Sequence, residues 1–264
     1  ALVLGPIPAA GRAGRKDRQV AFVHGAAHVE RELPVEELAH ATRIPADRLL
    51  RADPLVRLAM AAVARLEGTS GSLAGAGIIV GTALATLETN ALFAARVRER
   101  GPLAAEPRRF PYTSPNAVAG ECSIAFGLTG PSFSVGGGMH AALEALACAA
   151  VLIEAGDADR IVVVAVDDVG PMTAALRADS LRPGAVAVLV SAHVRPAGQP
   201  AGARARIGAI TLRRGGRGMT DGQEPSSRAD GHLALLPLLG EVLPRELAGG
   251  SAPDVVARLR LDPV

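Results

Sequence analysis

The stretch most able to do chemistry runs from Gly130 to Leu146 and reads Gly-Pro-Ser-Phe-Ser-Val-Gly-Gly-Gly-Met-His-Ala-Ala-Leu-Glu-Ala-Leu. A short strand feeds a glycine-rich turn, and the turn opens a small-residue helix whose first residues are Met139 and His140. This is the layout of a nucleophile elbow: the turn exposes one side chain, and the helix start adds unpaired N–H groups and positive potential. An elbow presents Ser or Cys. Here the position holds Met139, whose thioether cannot be deprotonated into an attacking group. His140 adjoins it but shows no orienting acid or nucleophile, which favours a capping or packed role. A dinucleotide fingerprint would need a glycine in place of Ala141 and Ala142, and a phosphate loop would need Gly-Lys-Ser/Thr. Cys122 and Cys148 fall within helices and read as buried small residues. His24, His28, His40, His193 and His232 form no recognisable constellation, and Asp167 and Asp168, at a strand end, point to opposite faces. No Cys/His spacing suits zinc, and no cofactor or metal is expected.

Such groups need a scaffold, and the chain has one to offer. Its 264 residues are 49% hydrophobic and 20% charged with a net charge of +2, a soluble globular balance without a bias toward a charged partner. Aromatics are scarce (Phe 5, Tyr 1, Trp 0), so stacking platforms for nucleic acid are absent, and the core must be built from Ala, Val, Leu and Ile. Arg213-Arg-Gly-Gly-Arg-Gly218 reads as a loop and not an RNA-binding box. Strand-like runs recur at Ala21–Val29, Ala76–Thr82, Ser132–Val135, Arg160–Asp167, Ala185–Val194 and Arg204–Leu212. Two of them, Ile161–Val166 and Ala185–Val190, are continuously apolar, the pattern of strands covered by helices on both faces.

The clearest helix follows Asp53 as N-cap and Pro54 at its first position, buries Leu55, Leu58, Ala59, Ala62 and Leu66, and stops at Gly68. Others are expected from Ala85 to Arg100, from Pro115 behind a Ser114 cap, and from Met139 to Ala155. Residues 1–20 read as a loose N-terminal tail, 21–195 as the main α/β domain, and 196–264 as a linker and a remnant of a further unit. The longest apolar run, Met139 to Ile153, carries His140 and Glu144, too short and polar for a membrane span. Two cysteines and no disulfide framework point to a reducing cytoplasm.

Several pieces in order resemble the β-ketoacyl synthases of the thiolase superfamily. Gly130-Pro-Ser-Phe-Ser-Val135 with its glycine turn and helix resembles their Gly-Pro-x-x-x-Val-x-x-Ala-Cys-Ser nucleophile segment. Ala21–Ala27 resembles the opening strand, Gly77-Ile-Ile-Val-Gly-Thr82 the Gly-Val-Val-Val-Gly-Thr strand, and Pro115–Leu128 the Pro-Asn-x-x-Ala-Gly helix with the following Gly-Leu. Pro183–Leu189 resembles the Asp-Gly-Ala-Gly-Ala strand that closes the N-terminal half. The resemblance implies an α/β fold: a mostly parallel mixed sheet covered by helices, the N-terminal half of the thiolase fold with the second half truncated.

The departures bear on function. The family uses a Cys to carry the acyl chain and two histidines to activate malonyl groups. The Cys position is Met139; Pro253–Leu261 resembles the strand before the His-Gly-Thr-Gly-Thr motif, with Leu259 near the histidine position, and no counterpart of the second histidine segment is present. The resemblance therefore implies a catalytically silent, chain-length-factor-like subunit that pairs with an active ketosynthase in type II polyketide, aryl-polyene or fatty-acid-like biosynthesis. Phe133, Ser134 and Val135 would lie at the dimer interface. Phe110, Tyr112, Asn116 and Met139 would line the acyl tunnel, with Phe126 nearby. One alternative is a diverged acyltransferase or thioester hydrolase using His140 or a cysteine. Another is a module docking an acyl carrier protein through Arg96, Arg98, Arg100, Arg108 and Arg109, with neither nucleic acid nor membrane as partner.

Overall fold

A computed structural model describes residues 19–136, 138–176, 181–192, 205–214, 235, 238, 246–249 and 255–263. Most of the expected tail, the linker from Pro196 to Ala203, the arginine-glycine loop after Arg214, and His193 and His232 lie outside the described residues. In chain order the elements are β1 (Phe22–Val29), α1 (Val35–Thr42), α2 (Ala46–Leu49), α3 (Pro54–Ser70), β2 (Gly77–Thr82) and α4 (Leu87–Arg100). Two 3-10 turns follow, Pro102–Ala104 and Phe110–Thr113. Then come α5 (Asn116–Phe126), β3 (Ser132–Gly136), α6 (Ala141–Ala155), β4 (Arg160–Asp167), α7 (Pro171–Ala175), β5 (Gly184–Ser191), β6 (Ala205–Arg214), β7 (Glu246–Gly249) and β8 (Val255–Pro263).

The eight strands form one mixed sheet in the order β3-β2-β4-β5-β1-β6-β8-β7. Its layers follow from the continuously apolar runs. Successive side chains of a strand face opposite ways, so Val162, Val164 and Val166 of β4 join a core with α3 and α5, while Ile161, Val163 and Ala165 join a second core with α6. Every residue of β2 and β5 is buried, as the double covering requires. The α/β class and the helix-covered mixed sheet match expectation, but the balance of directions does not. Among the described residues only β2–β3 and β2–β4 pair in parallel, and the other five pairings are antiparallel. Parallel strands need a long crossover, as α6 supplies between β3 and β4, which run parallel on either side of β2, whereas β5 lies antiparallel beside β4 after a link whose described part holds the five-residue α7.

Helix boundaries shifted for local reasons. Asp53 caps α3 through the Leu55 N–H at 3.0 Å, as expected, but Gly68 does not stop it; the helix runs to Ser70 and ends at Gly71 with φ +78°. α4 begins at Leu87 and not Ala85, because Ala85 takes φ +52°. Ser114 gives no side-chain cap to α5, whose N-cap is Pro115, and α6 starts at Ala141 behind His140, two residues later than expected. Among the described residues no helix is long and apolar enough to cross a membrane.

α6 lies so close to β2 that their backbones touch. A Cβ at Gly81 would sit 2.5 Å from the Ala141 carbonyl oxygen and 3.0 Å from the Ala142 Cα, contacts that only backbone movement could relieve. Gly120, inside α5, meets nothing within 4 Å. Gly81→Ala is therefore expected to destabilise the fold by about 2 kcal/mol or more through overpacking. Gly120→Ala should add about 0.5–1 kcal/mol from helix propensity; opposite shifts of the thermal midpoint check the pair.

Candidate functional site

Parallel pairing from Ile78↔Ser132 to Thr82↔Gly136 carries β3 alongside β2 and delivers the chain into the turn. Gly138 has φ +126°, a conformation that a side chain would strain, and its N–H donates to the Ala83 carbonyl at 3.1 Å. The Ala141 N–H donates back to the Gly138 carbonyl at 3.0 Å. His140 is the N-cap of α6, and its carbonyl accepts the N–H groups of Leu143 and Glu144 at 3.0 and 3.1 Å. The elbow is thus formed as the glycine pattern requires, with Met139 at its tip. That side chain is partly buried against Ala83, Leu84 and Leu181.

The sequence reading of His140 needs correction, because the imidazole does have an acid: its Nε2 lies 3.2 Å from Glu144 Oε1. The spacing i,i+4 on a helix was the available signal. A second missed pair is His24 Nε2 and Ser191 Oγ, 2.7 Å apart between β1 and β5 where the β1 register shifts. Both are buried, so this pair holds the sheet together instead of meeting substrate.

The loop after β2 ties the elbow to its surroundings. The Ala83 N–H donates to Asp167 Oδ1 at 2.9 Å, and Thr86 Oγ1 donates to the Thr113 carbonyl at 2.9 Å. Asp53, besides capping α3, accepts from Thr89 Oγ1 of α4. Glu88 accepts the Thr173 N–H and hydroxyl, each at 2.7 Å, and the Met172 N–H at 3.1 Å, which fixes the start of α7. Burial pushes the Glu88 carboxyl up, but these hydrogen bonds outweigh it and hold the group below the usual carboxylate range. Asp168, by contrast, is pushed up by burial, with Asp53, Glu88 and Glu32 adding to it. As expected, Asp167 and Asp168 share no site: Asp167 serves the Ala83 amide, and Asp168 accepts the Val169 N–H.

The expected tunnel residues are dispersed. A cleft of about 730 Å³ opens between the start of α3 and the 3-10 turns, lined by Asp53, Arg57, Arg108 and Tyr112 among others. Tyr112 is the only one of the four that lines it. Its hydroxyl donates to Glu121 Oε1 at 3.4 Å, and burial, with Glu121 second, pushes the phenol up. Phe110 is 63% exposed and leans on Phe93 with ring centroids 6.1 Å apart. Asn116 is exposed at the first turn of α5, while Met139 packs at the elbow. Phe126 is a core residue at the end of α5. β3 is one of the two edge strands: Phe133 and Val135 are partly buried against the α6 core, and Ser134 Oγ donates to the Pro115 carbonyl at 2.9 Å. Arg96 and Arg109 both pair with Glu106, whereas Arg98, Arg100 and Arg108 are exposed. Among the described residues no group of His, Cys, Asp and Glu could hold a metal ion.

With this geometry in place, comparison with known proteins is informative. The family profile described as beta-ketoacyl synthase, N-terminal domain, matches residues 15–182. The chain belongs to the β-ketoacyl synthase family. No curated protein matches this ketosynthase homologue. Among solved structures it is similar to the ishigamide ketosynthase/chain length factor, with 20% identity and TM-score 0.58 over 74% of this chain and 67% of that one. It is also similar to a ketosynthase (ApeO) in complex with its chain length factor (ApeC) from Xenorhabdus doucetiae: 15% identity, TM-score 0.60, 91% of this chain and 99% of the other. A third is the type II polyketide synthase AntDE:AntF, an acyl carrier protein in complex with its ketosynthase bound to the hexaketide: 15% identity, TM-score 0.59, 75% and 70% coverage. At these identities the likeness establishes the thiolase-like fold of the ketosynthase homologue.

Both thiols are raised above their ordinary range by their surroundings. Burial, with Glu121 adding, pushes the Cys122 thiol far above its ordinary range, and burial with Glu144 raises Cys148. Only the thiolate attacks, so in the native state an alkylating reagent should leave Cys122 unmodified until the chain unfolds and label Cys148 slowly, as peptide mass spectrometry would read. For Glu88 the folded pKa lies below the unfolded one. Its stabilisation is complete above the unfolded carboxylate range and lost as pH falls through the folded value. Glu88→Gln should therefore lower the thermal midpoint near neutral pH and narrow the gap to wild type on acidification.

Proposed function

We propose that this chain is a chain-length-factor-like subunit, silent in condensation, that pairs with an active ketosynthase and shapes its acyl tunnel in type II polyketide, aryl-polyene or fatty-acid-like biosynthesis in the cytoplasm. The observation that carries the reading is an intact elbow with a non-ionisable Met139 at its tip. A condensing enzyme needs a thiolate there, and both cysteines of this chain have raised thiol pKa values. Residues 21–195 would be the ketosynthase-like domain and 196–264 the linker and remnant.

The sheet edge supports pairing. On its outer side β3 has no strand partner among the described residues, and it carries no charge to discourage one. Beside it, Ile124 of α5 is 65% exposed, a large apolar side chain with nothing over it, and Ser123 of the same helix reaches Ser132 of β3 at 3.1 Å. Phe133, Ser134 and Val135 would then form the interface. Tyr112, Phe110, Asn116 and Met139, dispersed in one chain, would border a tunnel completed by the partner. Carrier-protein docking is a second reading, favoured by Arg98, Arg100 and Arg108, which are exposed and make no ion pair among the described residues. Arg96 and Arg109 are already engaged with Glu106.

Co-expression with a cognate active ketosynthase should give a stable complex, and Ile124→Arg should weaken that complex at least tenfold, about 1.4 kcal/mol, without lowering the thermal midpoint of the chain alone. After incubation with acyl thioesters, intact-mass measurement should find the acyl group on the ketosynthase and none on this chain. A monodisperse protein that ignores the ketosynthase would sink the proposal.

A further inference from the structure

We propose that His140 and Glu144 form a water-activating pair and that the chain cleaves acyl thioesters by hydrolysis, an activity separate from its role as a ketosynthase partner. Three observations converge. His140 directly follows Met139, the position that resembles the family's acyl-carrying residue, and its ring lies against Gly138 on the other side of it. Nε2 faces the Glu144 carboxylate, with Oε1 at 3.2 Å, which leaves Nδ1 as the ring nitrogen turned away from it and, in a ring carrying its proton on Nε2, the one able to accept a proton. The Nδ1–Cε1 edge lies over the elbow: a Cβ placed on Gly138 would be 3.5 Å from Nδ1 and 3.2 Å from Cε1. The absent side chain at Gly138 is what lets the ring lie there. The two side chains remain 16% and 26% exposed, which leaves water a route to them.

The arrangement is the acid and base portion of a hydrolytic site from which the protein nucleophile is missing. Water can supply it. Nδ1 takes a proton from water as the oxygen attacks the thioester carbonyl; the C–O bond forms, the C–S bond breaks, and the imidazolium returns the proton to the departing thiolate. The products are a carboxylic acid and a free thiol, with no redox partner and no covalent intermediate on the protein. Glu144 touches no reacting atom; it faces Nε2 and positions the ring. Met139 closes the covalent route beside it, so this chain would release an acyl group without ever holding one.

The test uses the full chain without a partner, with acetyl- and octanoyl-pantetheine thioesters as probes and thiol release as the readout. Wild type should exceed the uncatalysed rate. His140→Ala should lose about 100-fold or more of that excess, and added imidazole should restore part of it, a rescue that a structural role for His140 would not allow. Glu144→Gln should lower kcat about tenfold with KM kept. If His140→Ala melts early, His140→Gln serves in its place. No thiol release by wild type, equal rates for wild type and the His140 variants, or accumulation of an acyl adduct on the chain would each overturn the proposal. Ketosynthase binding by the His140 variants, measured in parallel, separates this result from the pairing reading.

Discussion

The contact on which the rest depends is the one between Gly81 of β2 and the start of α6. A strand and a helix normally keep their backbones apart by the width of side chains. Here the Ala141 carbonyl lies where a Gly81 Cβ would be. That approach sets the depth of α6, and with it the height of the turn, the seat of Met139 against Ala83 and Leu84, and the reach of His140 across Gly138. The alanine-rich face of α6 is the same constraint seen from the helix: Ala142, Ala145, Ala149 and Ala150 are buried because only small residues fit that close to the sheet.

Around this contact the ionisable groups are mostly engaged in fastening backbone. Asp53 holds the first turn of α3 and reaches α4; Asp167 holds the Ala83 amide; Glu88 holds the start of α7. Glu88, which accepts three such bonds, is held below the usual carboxylate range and is a poor general acid. The elbow holds its turn geometry while many of the ionisable groups around it act as braces. His140 with Glu144 is the exception within reach of the turn, since the ring has one nitrogen left uncommitted by the carboxylate.

The doubly covered sheet was legible because its signal is dense: in the runs through β4 and β5 each apolar residue has a helix-covered face to meet. The elbow was legible from its glycines and Asp53 from the Pro54 behind it. Strand direction was not, since an apolar strand looks the same whichever way it runs. Helix starts moved by two residues where Ala85 adopts a left-handed conformation that its side chain does not announce. The pairs His140–Glu144 and His24–Ser191 illustrate two kinds of invisibility. The first was four residues apart and recoverable from helical spacing, whereas the second joins positions separated by 167 residues and exists only once β1 lies against β5. The dispersal of Phe110, Tyr112, Asn116 and Met139 belongs to the second kind, because proximity in sequence says nothing about a shared cavity.

The composition of β3 carries an implication for life in a crowded cell. Sheet edges are commonly blunted by lysine, proline or a bulge; this one reads Ser-Phe-Ser-Val-Gly, with no charged residue and an unbroken register against β2. Such an edge is a template for any extended chain that meets it. A molecule built this way is exposed to misassembly whenever it is synthesised in surplus, so its abundance becomes a liability to be matched to that of whatever occupies the strand.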